Sequence, residues 1–88
     1  MKNMNSKMTT TYYKVLEAVY DNQVNIGGNG FCPLSQEEIA LVVSCNRMTV
    51  NTILKELRRD GYIAFSKKQK YVLTELGIET VEKAKDIK

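Results

Sequence analysis

The chain has 88 residues, enough for one small domain and too few for two units that each hold a core. With 43% apolar and 26% charged residues and a net charge of +3, the composition is that of an ordinary globular protein, and no apolar run reaches the roughly 18 residues a membrane span requires. Histidine and tryptophan are both absent, which excludes His-based acid–base catalysis, His metal ligands and every nucleophile–His pair.

Residues 1–9 are polar, contain no signal-like apolar segment and are expected to be flexible. Residues 10–88 are expected to form a single domain. From Thr10 to Asn22, the side chains of Tyr12, Val15, Leu16 and Val19 recur at i, i+3, i+4 and i+7, predicting an amphipathic helix capped by Thr9 or Thr10. Gly27, Gly28 and Gly30 then oppose helix, and the helix is expected to stop before them. Phe31 to Leu34 read as a short extended approach, with Pro33 biasing Cys32 away from helix.

Ser35-Gln36-Glu37-Glu38 has the capping-box pattern and opens a second helix, whose apolar stripe is Ile39, Ala40, Val42 and Val43. Ser44-Cys45-Asn46 ends it. A third helix is predicted over Arg47–Arg59, where Val50, Ile53, Leu54 and Leu57 again follow helical spacing, and Asp60-Gly61 closes it with a glycine free to turn left-handed. Tyr62–Phe65 and Tyr71–Leu73 are β-prone and flank a short polar connection, the pattern of a hairpin. Thr74-Glu75 opens a last helix with Leu76, Ile78, Val81 and Ala84 as apolar positions. Gly77 inside it implies either a weak first turn or a close approach by another segment.

The positive charge is concentrated. Residues 63–74 hold Lys67, Lys68 and Lys70 and no acid, and Arg58 and Arg59 cluster at the end of the third helix. Local concentration is what a polyanion feels. The two cysteines, Cys32 and Cys45, are too few for a zinc site without other ligands and are expected to be reduced thiols, with a disulfide or redox switch as the alternative. Nothing in the sequence calls for a metal or a cofactor. The glycine-rich segment lies between two helices and matches no phosphate-cradling fingerprint.

Residues 36–55 resemble the helix-turn-helix core motif, with Gln36 opening it, Ala40 small where two helices cross, and Val50 and Ile53 buried on the second helix. Asn46 to Lys55, with Leu57, Asp60, Gly61, Tyr62 and Ile63, is similar to the winged helix of the cyclic-AMP receptor protein family. Leu73-Thr74-Glu75-Leu76-Gly77 is similar to the step after the wing in winged-helix repressors. The resemblance spans roughly residues 10–85 and implies an α+β winged helix-turn-helix: a three-helix core, a two-stranded β wing and a C-terminal helix. Ser44 stands where the family usually has glycine, because the backbone there tends toward left-handed angles.

A helix advances about 100° per residue, so with Arg47 at zero the core residues point to about 290° and the outward direction is about 110°. Met48, Lys55, Arg59 and Thr52 point that way, with Asn51 at its edge. Such a face suits the major groove. Arg47 is expected to contact guanine, Asn51 to read adenine, and Thr52 or Met48 to touch a thymine methyl. Gln36 and Thr49 are placed for phosphate contacts, as are Lys55 and Arg59, and the wing lysines Lys67, Lys68 and Lys70 for flanking backbone. The resemblance implies that the counterparts of Arg47 and Thr52 read bases. The latter is arginine there, and Met48 replaces an acid, so the family's target sequence does not carry over.

The duller alternatives are a helix C-terminus favoured by Arg58 and Arg59, and a solvated turn at Lys67–Lys70 that protects an edge hairpin. The expectation is a cytoplasmic, non-enzymatic regulator that binds double-stranded DNA sequence-specifically as a homodimer, with no membrane and with room for a protein partner. The first and last helices, with Tyr13, Val24 and Ile87, are the candidate dimer surface. The alternative is a winged helix used for protein–protein contact, or a replication or partition module, without sequence-specific readout.

Overall fold

The computed structural model of the chain describes residues 10–26, 29–66 and 70–86. Its elements in order are α1 (Thr11–Asp21), β1 (Val24–Ile26), β2 (Asn29–Phe31), α2 (Gln36–Val43), α3 (Arg47–Arg59), β3 (Ile63–Phe65), β4 (Tyr71–Leu73) and α4 (Glu75–Asp86). The expected flexible segment 1–9, Thr9 as a cap, and Ile87 lie outside the described residues.

The helices form where the apolar spacing places them. Val15, Leu16 and Val19 of α1, Ile39 of α2, and Val50, Ile53, Leu54 and Leu57 of α3 meet in one core, joined by Ile63, Leu73 and Val81. Ser35 caps α2 with both arms of the capping box: its hydroxyl accepts from Glu38 N–H at 3.1 Å, and its own N–H donates to Glu38 Oε1 at 2.8 Å. Asn46 caps α3, its Oδ1 accepting from Thr49 N–H at 2.8 Å. Thr10 takes the N-cap position of α1 in extended conformation, but its side chain makes no capping bond.

Four details of the burial pattern differ from the sequence expectation. Tyr13, not Tyr12, is the buried tyrosine of α1, so it belongs to the monomer's own core and is withdrawn from the candidate dimer surface. Val42 and Leu76 are exposed, at 56% and 45%, because each lies about 100° or more around its helix from the mean direction of the buried residues, Ile39 and Ala40 in α2 and Gly77 and Val81 in α4. Leu41 stands out beside Val42 on the outer face of α2. Where the sequence indicated only the end of a helix, β1 and β2 form an antiparallel hairpin that pairs Val24 with Phe31, Asn25 with Gly30 and Ile26 with Asn29. The hairpin is anchored by Cys32, whose N–H donates to the Tyr71 carbonyl at 2.8 Å. β3 and β4 form the expected wing, pairing Ile63 with Leu73, Ala64 with Val72 and Phe65 with Tyr71.

Close approach, not weakness, explains Gly77. The Thr74 hydroxyl accepts from Gly77 N–H at 3.1 Å and donates to the Gly61 carbonyl at 2.6 Å. A Cβ on Gly77 would collide with the Tyr62 carbonyl oxygen. α4 is further held to α1 by Lys85, which pairs with Asp21 at 3.2 Å and Glu17 at 3.5 Å, and by the Tyr20 hydroxyl donating to Glu82 at 3.0 Å.

Tyr12 donates to Asp60 Oδ2 at 2.6 Å, tying α1 to the end of α3. Burial, then this bond, then the nearby carboxylate charge push its phenol well above the ordinary range. The folded chain therefore holds that proton more tightly than the unfolded chain. Stability from this group is fully present below pH 10, the ordinary phenol value, and falls as pH rises beyond it. Tyr13 and Tyr20 shift the same way, through burial and through the bond to Glu82 respectively. The contribution of Tyr12 is therefore measured as a difference: alkaline titration of Tyr12→Phe by circular dichroism is expected to show a shallower loss than the parent.

Candidate nucleic-acid interface

α2 and α3 are joined by three residues, and the joint depends on one backbone angle. Ser44 has φ 58° and ψ 50°, the left-handed conformation, and is the only non-glycine residue among those described with a positive φ. The turn shape usually served by glycine is thus kept with serine, at a cost of order 1 kcal/mol. The Cys45 N–H donates to the Ala40 carbonyl at 2.9 Å, sealing the end of α2, and Asn46 starts α3. At the far end of α3, Gly61 at φ 87° releases the chain into the wing.

This geometry buries one side of α3 and frees the other. Arg47, Met48, Thr52, Lys55, Arg58 and Arg59 are exposed, Met48 at 78%. Thr49 and Asn51 are half-buried, at opposite edges of that face, and Asn51 is the one bonded to α2 through Gln36. Arg47 shares a shallow hollow with Ser35, Gln36 and Glu37, so the start of α2 and the start of α3 open on one surface. Lys55, Arg58 and Arg59 line a second, cationic hollow. Lys70 stands half-buried at the foot of the wing, its N–H donating to Ser66 Oγ at 3.1 Å. Lys67 and Lys68 lie outside the described residues.

Several side chains have partners that sequence reasoning did not supply. The Gln36 Nε2 donates both to Asn51 Oδ1 at 3.3 Å and to the Tyr71 hydroxyl at 3.2 Å. Arg59 Nε pairs with Asp60 Oδ1 at 3.2 Å, yet the arginine side chain remains 70% exposed. Arg58 stacks its guanidinium over Phe65, 5.2 Å from the ring centroid, so a wing aromatic steers a helix cation. Arg58 joins the cationic hollow, a role not assigned to it from sequence; its spacing of three from Lys55 was the available signal.

Cys32 is fully buried and Cys45 half-buried, and neither is in a disulfide. Burial pushes the Cys32 thiol up, holding it in its neutral, unreactive form. Among the described residues, no group of three His, Cys, Asp or Glu side chains is placed to hold a metal ion, and no helix is long and apolar enough to cross a membrane.

The fold is similar to that of the transcriptional regulator MosR of M. tuberculosis, at TM-score 0.69 and 24% identity over 92% of this chain and 56% of that one. It is similar also to a CRP/FNR-family transcriptional regulator of Thermus thermophilus, at TM-score 0.69 and 22% identity over 94% of this chain and 44% of that one. The CO-sensing protein of R. rubrum in its reduced state aligns at TM-score 0.64 and 20% identity, over 92% of this chain and 40% of that one. The chain spans about half the length of these solved proteins or less. No curated protein matches it. The family model described as a Crp-like helix-turn-helix domain matches residues 14–77, which take in most of α1, both hairpins, α2, α3 and the start of α4, and the chain belongs to that family.

Proposed function

We propose that the chain is a single-domain, double-stranded DNA-binding module of a transcriptional regulator, reading sequence through α3 in the major groove. The observation that carries this reading is the free face of α3. Arg47, Met48, Thr52 and Lys55 stand clear of the protein while the opposite face is fully buried. In this reading Arg47 pairs with guanine, Thr52 or Met48 contacts a thymine methyl, and Asn51 reads from the edge of the face. Thr49, Lys55, Arg59 and Lys70, with the backbone N–H groups at the start of α2, meet phosphates. Lys67 and Lys68 continue that contact along the wing. The solved proteins of similar fold described as transcriptional regulators support the regulatory role.

The test is a binding-site selection followed by footprinting. Arg47→Ala is expected to relax base preference at one position by about 1–3 kcal/mol. Lys55→Ala is expected to weaken all sequences alike and to flatten the salt dependence by about one unit of slope. Equal competition by cognate and scrambled duplexes at moderate salt would defeat the proposal.

Dimerisation on paired half-sites belongs to the same reading. Val24, just after α1, and Leu76, in the first turn of α4, are exposed apolar residues available to it, at 38% and 45%. Sedimentation of the chain alone and on one- and two-half-site duplexes measures it. The second reading, a winged helix serving protein contact, is favoured by Leu41, 81% exposed beside Val42 on α2. It predicts no sequence preference in the same titrations.

A further inference from the structure

Gln36 opens α2 and Asn51 sits on α3, 15 positions away, and their carboxamides are hydrogen-bonded through Gln36 Nε2 and Asn51 Oδ1 at 3.3 Å. The second bond from that nitrogen goes to the Tyr71 hydroxyl at 3.2 Å. A carboxamide nitrogen carries two protons, so both are committed within the protein. Tyr71 is a firm anchor. It is 9% exposed, packs its ring against Phe65 at 5.1 Å, and accepts at its carbonyl from Cys32 N–H. A continuous chain thus runs from the wing, through the first helix of the motif, to a side chain on the reading helix.

The consequence is chemical. A free asparagine pairs with adenine by offering both edges, its oxygen to the N6 amino group and its nitrogen to N7. In this protein the Asn51 oxygen is turned back toward Gln36, and the edge left to face outward is the donor Nδ2. In the major groove, guanine presents only acceptors, O6 and N7. We propose that Gln36 is a positioning residue that locks Asn51 as a donor-only reader, selecting guanine where an unrestrained asparagine would select adenine. The proposal rests on the DNA-reading function above.

The experiment is a selection from a randomised duplex pool with the 88-residue chain and three variants, each checked for folding by circular dichroism. Asn51→Ala identifies the base pair that this side chain reads, and the parent chain is expected to enrich guanine there. Gln36→Glu replaces a donor by an acceptor of the same shape. Asn51 must then turn Nδ2 toward the carboxylate and Oδ1 outward, so preference at that pair alone is expected to move by about tenfold toward a base with an exocyclic amino group, adenine or cytosine. Gln36→Leu frees the amide without adding charge and is expected to restore adenine. Adenine at that pair in the parent chain would overturn the inference. So would a preference unmoved by both Gln36 variants, or no pair that responds to Asn51→Ala. A pool from which nothing is enriched would overturn the DNA-reading function itself, and this inference with it.

Discussion

Leu57→Ala is expected to cost about 2–5 kcal/mol of folding stability and to remove DNA binding with it. Leu57 is fully buried on the last inward turn of α3, and its carbonyl accepts from Tyr62 N–H at 2.9 Å. It stands where α3 hands over to the wing. A domain of this size is stabilised by roughly 4–13 kcal/mol in total, so the loss is a large share. The same helix carries the core on one face and the proposed reading side chains on the other. Loosening its inner face therefore releases its outer one. Urea denaturation gives the stability, and a band-shift assay on the selected duplex gives the binding. A variant that keeps parental stability would show that the core is not centred on α3.

Gly77→Ala is the second large effect, and its sign is the informative part. Alanine in place of glycine inside a helix ordinarily adds up to about 1 kcal/mol of stability. At this position the added Cβ meets the Tyr62 carbonyl oxygen and comes within 2.9 Å of Leu73 Cδ2. The Tyr62 carbonyl already accepts from Thr74 N–H at 3.1 Å, so it cannot retreat without breaking the step from wing to α4. Overpacking of this kind costs about 1–3 kcal/mol, and the net change is expected to be destabilising. Thermal unfolding beside an exposed control such as Glu79→Ala separates the two. A rise in melting temperature would mean that α4 docks less closely than the structure shows.

The sequence determined the elements whose causes are local. The capping box of Ser35 and Glu38, the helical spacing of Val50 to Leu57, and the stop at Gly61 each act within a few residues. So does the β-preference of Tyr71, Val72 and Leu73 that makes them a strand. All are present where expected. The left-handed Ser44 was legible through the motif, since the turn must bend there whatever residue occupies it.

The candidate site was legible as a list of side chains on the outer face of α3, because helical geometry fixes direction once the core stripe is known. Only the tertiary structure decided what those side chains are bonded to. The β1–β2 hairpin escaped because Asn29 and Gly30 are poor strand formers. It is held partly by a bond from Cys32 to Tyr71, 39 positions on, which no local pattern encodes. Which tyrosine of α1 is buried was also decided by packing: Tyr13 is 8% exposed, while the Tyr12 hydroxyl donates to Asp60, 48 positions on. The chain of bonds from Tyr71 through Gln36 to Asn51 has the same origin. Hydrogen-bond partners 15 and 35 residues apart are brought together by packing, and packing has no period in the sequence.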